Sequence, residues 1–461
     1  MQNNQPILTE RTKRSSQGEG KKILFANFPA DGHFNPLTGL AKHLLAAGYD
    51  VRWYTSPTYE HKLAKLKIPF FPFKNAVDVS NNDFDKAFPG RKKRKTQISR
   101  LKFDIINAFI KRGPEYYADV VDIYRQFPFD LLVADVAFTG IPFVKDLMRI
   151  PVISVGVFPL TENSKDLPPV GLGMTPSYSF FGKLRQAVLR TVADKLIFGQ
   201  PNKVMFKIFG EHGIAHNGES LFDISIKKSD LMLQSGTPGF EYYRSDLSKN
   251  IRYVGPLLPY SIGKKTTTWF DNRLNEFEKV ILVTQGTVEK DIEKILVPTL
   301  RAFKNTNVLV VATTGGNGTS ALKERFPDRN FIIEDFIPFG DVMPYADVYI
   351  TNGGYGGVML GIENKLPMVV AGLHEGKNEI CARVGYFKLG INLKSEKPEP
   401  GKMRAAVEEI FRNGIYKANV TALGKEFDRY EPNRLFSQYV EELLYPGTAK
   451  IKTAIRQLSN N

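Results

Sequence analysis

The sequence contains little cysteine and no long apolar run. Cys381 is the only cysteine among 461 residues, so no disulfide can form within the chain, as expected in a reducing compartment. No apolar run approaches the roughly 18 residues that cross a bilayer. Residues 1–22 also contain no apolar stretch of the kind found in a signal peptide. These absences predict a cytoplasmic protein without an integral membrane segment.

Acidic residues are outnumbered by basic ones. The chain has 63 lysines and arginines against 48 aspartates and glutamates, which gives a formal net charge of +15. The densest basic run, residues 91–95, is typical of a solvated loop. No zinc-finger spacing, aromatic RNA-binding motif or helix-turn-helix pattern accompanies it. We therefore expect no nucleic-acid partner.

Groups that hold metals or redox cofactors are also scarce. The six histidines show no paired spacing, and Asp83 and Asp85 lie in a polar loop instead of after a strand. Residues 314–320 are rich in glycine but lack the lysine of a Walker loop, and no G-x-G-x-x-G pattern opens either half of the chain. We therefore predict no metal and no bound nicotinamide or flavin cofactor.

Length and pattern indicate two domains of alternating strands and helices. A chain of 461 residues is too long for one compact core. An apolar strand at 23–28 leads through a turn into an amphipathic helix, and a second strand follows at 50–54. Asn35 is a suitable cap for this helix and Pro36 a suitable first residue. Such a strand–helix–strand unit is the building block of a parallel sheet.

The same alternation continues along the chain and predicts the fold class. Further strands are predicted at residues 130–135, 151–155, 280–284, 308–313, 331–333, 348–351 and 368–371. The pattern predicts an α/β protein in which two doubly wound, Rossmann-like domains face a cleft. The predicted segments are a disordered lead-in at 1–20, an N-terminal domain at 21–256, a C-terminal domain at 257–446 and a loose tail at 447–461.

Two residues in the N-terminal half are candidates for acid–base chemistry. His33 follows the first strand and precedes a helix N-terminus, where the helix dipole disfavours the charged imidazolium. Asp135 ends another strand, from which its carboxylate could hold the imidazole in one orientation. From position alone, an exposed loop histidine and an ordinary strand-terminal aspartate remain the alternative.

Two turns in the C-terminal half are candidates for binding a diphosphate. The segment 351–357 (TNGGYGG) follows a predicted strand and precedes a helix, so its glycines allow close approach to the backbone N–H groups of a helix N-terminus. The turn Gln285-Gly286-Thr287 ends the first strand of this half and adds N–H and hydroxyl donors. Either turn alone is equally typical of a tight strand–helix connection.

Together these segments resemble the UDP-dependent glycosyltransferases of GT-B fold, the family that holds plant natural-product and bacterial macrolide glycosyltransferases. The resemblance extends from Lys22 to about Leu444. It rests on GHFNP (32–36), DLLVAD (130–135), VTQGT (283–287), EDFIPFGDVMPYADVYITNGG (334–354) and LPMVVAG (366–372). The order and spacing of the five segments make the match specific.

The resemblance implies a reaction and a set of roles. His33 would be the catalytic base and Asp135 its partner, in a transfer that inverts the anomeric carbon without a metal. The donor would be a UDP-sugar, with glucose as the best single guess, and the acceptor a small hydrophobic molecule such as a flavonoid, terpenoid or macrolide. The implied donor-binding residues are Gly286, Thr287, Phe336, Ile337, Asn352, Gly354, Gly356 and Gly357. Phe336 matches the aromatic residue that stacks on the uracil.

The chain departs from the family pattern around the donor. Asn352 stands where many relatives have a histidine at the diphosphate, and Leu360 stands near the position of the glutamate that binds the ribose. Gly376 and Lys377 align with the Asp-Gln pair that holds the sugar hydroxyls. Glu375 and Glu379 are the nearby candidates to replace that pair.

Two other functions are compatible with the sequence. The basic run at 91–95 with Leu101, Phe103 and Ile105 downstream would suit a peripheral membrane protein that glycosylates a lipid. The departures around the donor would suit a non-catalytic nucleotide-sugar-binding protein. The presence of both His33 and Asp135 favours the enzyme over that alternative.

Overall fold

The structure is a computed structural model, and it describes residues 18–80, 84–260, 268–286 and 289–446. Several sequence predictions fall outside these ranges. They are most of the lead-in at 1–20, Asp83, Thr287 and the tail at 447–461.

The N-terminal half forms a parallel sheet of seven strands in the order β3-β2-β1-β4-β5-β6-β7. The strands are β1 (Lys22–Ala26), β2 (Asp50–Thr55), β3 (Phe70–Pro72), β4 (Leu131–Asp135), β5 (Val152–Gly156), β6 (Leu231–Ser235) and β7 (Ile251–Gly255). The central strands β4 and β5 are buried at every position. Burial of both faces is expected of a parallel sheet with helices on each side.

The C-terminal half forms a second parallel sheet, of six strands in the order β10-β9-β8-β11-β12-β13. The strands are β8 (Lys279–Thr284), β9 (Val308–Thr313), β10 (Phe331–Glu334), β11 (Val348–Thr351), β12 (Met368–Val370) and β13 (Gly390–Asn392). The predicted α/β class with two doubly wound sheets is thus confirmed.

Helices connect the strands and cover both sheets. In the N-terminal half they are α1 (Asp31–Ala46), α2 (Glu60–Leu66), α3 (Phe84–Ala87), α4 (Gln97–Asp104), α5 (Arg112–Gln126), α6 (Ile141–Phe143), α7 (Phe180–Ala193), α8 (Gly199–His212) and α9 (Leu221–Lys228). In the C-terminal half they are α10 (Leu296–Phe303), α11 (Thr319–Arg325), α12 (Phe339–Val342), α13 (Tyr355–Glu363), α14 (Lys377–Tyr386), α15 (Pro400–Arg412), α16 (Ile415–Phe427) and α17 (Pro432–Leu444). Within the described residues, no helix is both long and apolar enough to cross a bilayer.

Helix α1 begins earlier than its sequence predicts. It starts at Asp31 instead of Pro36, and the carbonyl of Ala30 accepts the N–H groups of His33 at 2.9 Å and Phe34 at 3.0 Å. Pro36 therefore lies inside the helix, where its missing N–H removes a single backbone bond, the one to the carbonyl of Gly32. The early start brings His33 into the first helical turn.

The last helix returns to the N-terminal sheet. Phe436 and Val440 of α17 are fully buried in the cluster that contains Phe25 and Leu37. The ring of Phe436 meets that of Phe25 edge-on at 6.3 Å. Although α17 lies in the range predicted for the C-terminal domain, its apolar side is part of the N-terminal core.

A buried ion pair also joins the two halves. Arg383 of α14 donates to the carboxylate of Glu241, which follows β6, at 3.0 Å and to Glu379 of its own helix at 3.0 Å. The guanidinium stacks over the Tyr242 ring at 4.3 Å. Burial alone would lower the pKa of Arg383, but Glu241, Tyr242 and Glu379 outweigh it and hold that pKa above its ordinary value.

A first prediction concerns α17. Phe436→Ala should lower the free energy of unfolding by about 3–5 kcal/mol, since it opens a cavity in a fully packed cluster. Arg434→Ala on the exposed side of the same helix should change it by less than about 0.5 kcal/mol. Urea unfolding followed by circular dichroism measures both. Equal stability of the two variants would show that α17 does not support the N-terminal core.

A second prediction concerns the buried pair. Arg383→Leu should lower the free energy of unfolding by about 3–5 kcal/mol, because it leaves the carboxylates of Glu241 and Glu379 without their partner. Glu241→Gln keeps an acceptor for the N–H of Leu160, which donates to Glu241 at 2.8 Å. The double variant should therefore lose less stability than the sum of the single losses in urea unfolding. Strict additivity would contradict a direct interaction.

Candidate active site

The topology places a ligand-binding position on each sheet. In an open parallel sheet, ligands bind beyond the carboxyl ends of the strands, where two neighbouring strands send their connections to opposite sides. In the N-terminal sheet this position lies between β1 and β4, and in the C-terminal sheet between β8 and β11. His33 follows β1 and Asp135 ends β4, so the first position holds both acid–base candidates.

The carboxylate of Asp135 is completely buried and fixed by three donors. One oxygen accepts the N–H of Phe28 at 2.6 Å, and the other accepts the N–H of Ala137 at 2.9 Å and His33 Nδ1 at 2.7 Å. A buried carboxylate without donors would be strongly destabilising, so these contacts determine its orientation. The predicted pairing of His33 with Asp135 is present in the structure.

The imidazole of His33 is held at Nδ1, and its side chain is partly exposed. Its side chain is 20% exposed, whereas that of Asp135 is 0% exposed. Because a carboxylate accepts hydrogen bonds, Nδ1 carries the proton in the neutral ring and Nε2 is left as an acceptor. The rings of Phe28 and Phe158 meet the imidazole edge-on at 5.3 and 5.7 Å, which restricts its rotation.

Apolar groups surround this histidine. Phe28 stacks on Phe109 at 4.6 Å and belongs to a small cluster with Val79 and Ala108. Phe84 and Phe88 of the neighbouring segment pack partly buried against the same cluster. A molecule that reaches His33 from this side therefore meets mainly aromatic and aliphatic carbon.

In the C-terminal half, Asn352 joins the two turns that the sequence singled out. Its side-chain amide donates to the carbonyl of Gln285, which follows β8. Its side-chain oxygen accepts the N–H of Gly354 at 3.2 Å, directly before α13. One side chain thus fixes the turn after β8 relative to the helix N-terminus after β11.

Glycines give this position its shape. Gly286 has φ +80°, in the left-handed region, and Gly353 has φ +78°, with any added Cβ only 2.3 Å from the Cys381 sulfur. Burial raises the pKa of that thiol to about 12, so Cys381 packs there as an apolar group. A Cβ on Gly356 would meet nothing within 4 Å, which leaves the first turn of α13 open beside the free N–H groups of the helix N-terminus. Gly357 follows in the same turn.

The predicted uracil-stacking segment lies next to a second glycine-rich turn, residues 314–318. Phe336 is 70% exposed, whereas the side chain of Ile337 is buried in the core, which leaves only its backbone for a ligand. A Cβ on Gly316 would lie 3.7 Å from the Phe336 ring, and one on Gly315 would lie 3.7 Å from the carbonyl of Gly286. The lack of a lysine in this turn excludes a Walker loop but not a place beside a ligand. The sequence signal for that place is that the turn follows β9, the neighbour of β8.

The two acidic candidates for the sugar are held differently. Glu379 already has partners, because it accepts the N–H groups of Gly171 and Gly173 at 2.9 Å and pairs with Arg383. The loop at 167–176 is thereby attached to the N-terminal end of α14. Glu375 is 52% exposed and paired with Lys377 at 2.7 Å. Of the two carboxylates, Glu375 is the more available to a ligand.

The two positions face each other. Helix α1, which carries His33, approaches α13 closely. The hydroxyl of Tyr355, the first residue of α13, donates to the carbonyl of Ser235 at the end of β6 at 2.7 Å. The first residue of α13 therefore contacts the carboxyl ends of the N-terminal strands, the side of that sheet on which His33 lies. Over the described ranges, no group of three or more His, Cys, Asp or Glu side chains could hold a metal ion.

Several known proteins are similar to this chain in sequence. The family model described as "UDP-glucoronosyl and UDP-glucosyl transferase" matches residues 314–432. The 4'-demethylrebeccamycin synthase of Lentzea aerocolonigenes is 31% identical over 408 residues, which cover 88% of this chain and 96% of that protein. UDP-glucosyltransferase 1 of Beauveria bassiana is 28% identical over 92% of this chain and 95% of its own length.

Solved structures share the fold. The calicheamicin glycosyltransferase CalG4 superposes with a TM-score of 0.71 at 20% identity, over 92% of this chain and 98% of its own. The glycosyltransferase of kitacinnamycin gives the same TM-score of 0.71 at 17% identity, over 92% and 99%. The two sheets are therefore those of the GT-B fold. With the sequence relationship over nearly the whole chain, this protein is a UDP-glycosyltransferase and belongs to the UDP-glucoronosyl and UDP-glucosyl transferase family.

Proposed function

We propose that this enzyme transfers glucose from UDP-glucose to a hydroxyl of a small hydrophobic natural product, with inversion at the anomeric carbon and without a metal. The observation that carries the proposal is the hydrogen bond between His33 Nδ1 and the buried Asp135 carboxylate, in a cleft that α13 borders from the other side. The family membership supports the UDP-sugar, and the aromatic groups around His33 support the apolar acceptor.

In this proposal His33 acts as the base. The acceptor hydroxyl donates its hydrogen bond to Nε2, and its oxygen attacks the anomeric carbon from the side opposite the diphosphate. The bond from that carbon to the diphosphate oxygen breaks as the new glycosidic bond forms, and the hydroxyl proton passes to Nε2. Asp135 holds the ring and stabilises the imidazolium that results.

The departing UDP carries the negative charge in this reaction. The first turn of α13, with Gly356 and Gly357, offers backbone N–H groups to the diphosphate, and the helix dipole adds a positive partial charge. Gly286 and Gly354 have no side chain and let the diphosphate approach the backbone. Thr287, the next residue in the sequence after Gly286, is a further candidate through its hydroxyl. In this proposal Phe336 stacks on the uracil, with the backbone of Ile337 beside it. Asn352 holds the turn after β8 and the N-terminus of α13 in their relative positions.

Recognition of the sugar falls to the segment around α14. Glu375 is the candidate for accepting hydrogen bonds from the sugar hydroxyls, since its side chain is 52% exposed and its carboxylate pairs with Lys377 of α14 at 2.7 Å. Glu379 has an indirect role in this proposal, because it holds the loop at 167–176 at the same end of α14.

A third prediction tests the transfer and its base. Wild-type enzyme, incubated with UDP-glucose and a panel of flavonoids, terpenoids and macrolides, should add a mass of one hexose to at least one acceptor. His33→Ala should lower kcat about 10²–10⁴-fold, because the acceptor hydroxyl loses its base. Asp135→Asn should also lower kcat, because the ring loses its fixed tautomer. Mass spectrometry with initial rates measures all three.

Matched variants control for folding. His43 lies in the last turn of α1, at the end of the helix remote from His33. Asp130 directly precedes the first residue of β4, whereas Asp135 is its last residue. His43→Ala and Asp130→Asn should therefore keep wild-type rates. Undiminished product from His33→Ala would refute the proposed base. No product with any acceptor would refute the proposed substrate pair.

A fourth prediction tests the donor position. Asn352→Asp should weaken UDP binding by at least roughly tenfold, since a carboxylate there repels the diphosphate and the carbonyl of Gln285. The control is Asn364→Asp, which makes the same change at the C-terminal end of α13, where the Asn364 amide donates to the carbonyl of Leu360. Because this end is remote from the helix N-terminus, the variant should bind UDP as the wild type does. Isothermal titration calorimetry with UDP measures both, and equal affinities would place the diphosphate elsewhere.

A further inference from the structure

Helix α7 contacts the rest of the molecule through polar side chains along much of its length. Gln186 is buried and its amide donates to the carbonyl of Asp166 at 3.0 Å. Arg190, one turn later, donates to the carbonyl of Leu167. A surface helix of a globular protein normally turns its apolar side to the core and its polar side to water. The first three turns of α7 depart from this pattern, because Gln186 is their buried side chain, and an apolar side chain, Ala193, is buried only in the last turn.

The outward side of α7 carries an apolar stripe. Its six members are 45–79% exposed and most recur at every fourth residue: Phe180, Phe181, Leu184, Val188, Val192 and Leu196, the last in the π-helical turn that continues the helix. At 1.5 Å per residue the stripe is about 24 Å long. Single exposed apolar residues are common, but a continuous patch of this size marks an interaction surface. We refer to these six residues as the α7 stripe.

A second apolar element lies beside the stripe. Helix α4 packs against the π-helical turn Asp194–Phe198, and Ile98 and Leu101 on α4 are 51% and 43% exposed. Beneath them, the chain after α4 shares one buried cluster with Ala193 and Phe198. The apolar surface therefore extends from α7 onto α4.

Positive charge surrounds this surface. Residues 91–102, which lead into α4, contain seven lysines and arginines and no acidic residue, and the side chains at 92–95 are exposed. Residues 180–196 add four basic residues against the single acid Asp194. Long apolar side chains bordered by lysine and arginine are the composition of a helix that lies in the interface of an anionic membrane.

We propose that the α7 stripe and the basic segment 91–102 together dock this enzyme onto an anionic lipid bilayer. The apolar side chains enter the boundary between head groups and acyl chains, and the lysines and arginines contact the anionic head groups. The enzyme lies on the membrane and does not cross it. Docking uses none of the residues placed in the candidate active site and goes beyond the proposed transfer reaction.

A second copy of the chain fits this surface less well. In a symmetric dimer the same patch faces itself. The basic segment of one copy would then lie near that of the other, where like charges oppose association. A bilayer rich in anionic lipid offers the opposite charge along the whole surface.

Vesicle flotation provides the test. Wild-type enzyme should float with vesicles of 70% phosphatidylcholine and 30% phosphatidylglycerol at low salt, and should stay behind with pure phosphatidylcholine. Leu184→Ser/Val188→Ser removes apolar contact, and Lys92→Glu/Lys93→Glu removes charge. Each should lower the partition coefficient by roughly tenfold or more. All four residues are exposed, so both variants should keep the wild-type melting temperature.

The control variant and a second measurement make the test decisive. Leu247→Ser/Ile415→Ser changes two exposed apolar residues outside the stripe (37% and 39% exposed) and should float like the wild type. Failure of the wild type to float, or equal flotation of all variants, would overturn the proposal. A wild-type dimer in light scattering that Leu184→Ser/Val188→Ser converts to a monomer, without vesicle binding, would assign the stripe to a second copy instead.

Discussion

A carboxylate with no access to water must be surrounded by donors, and the N-terminal cleft is organised around this requirement at Asp135. Its oxygens are held by the N–H groups of Phe28 and Ala137 and by the ring of His33. The segment after β1, the end of β4 and the first turn of α1 thereby become one rigid unit. Of the two side chains, only that of His33 is partly exposed.

In the C-terminal half, too, single polar side chains join separate segments of the chain. Asn352 fixes two turns with one side chain, and Arg383 connects two halves of the molecule with one guanidinium. Each group is buried or partly buried, so the loss of one hydrogen bond leaves a polar atom without a partner and away from water. The geometry of the candidate donor position therefore depends on the assembled molecule and not on the glycine-rich segment alone.

The segment 160–200 connects the proposed membrane surface with the donor side. Its loop at 167–176 is held by Glu379 at α14, and its helix α7 is held through the carbonyls of Asp166 and Leu167. Polar contacts thus secure both ends of this segment, which leaves the α7 stripe without a partner in the described structure. Because Gln186 and Arg190 supply polar contacts on the inward side of α7, the apolar residues of the α7 stripe can face outward.

The alternation of strands and helices can be predicted from the sequence, because the apolar runs of strands such as β9 and β11 are local. His33, Asp135 and the glycine turns can be singled out in the same way, since these residues end or follow recognisable strands. Their contacts depend on the tertiary structure. The short strands β3 and β13 have too few residues to show a pattern, and the start of α1 depends on the carbonyl of Ala30. The packing of α17 on the N-terminal core, the engagement of Glu379 by the loop at 167–176 and the outward position of the α7 stripe all depend on partners distant in the chain, which no local pattern encodes.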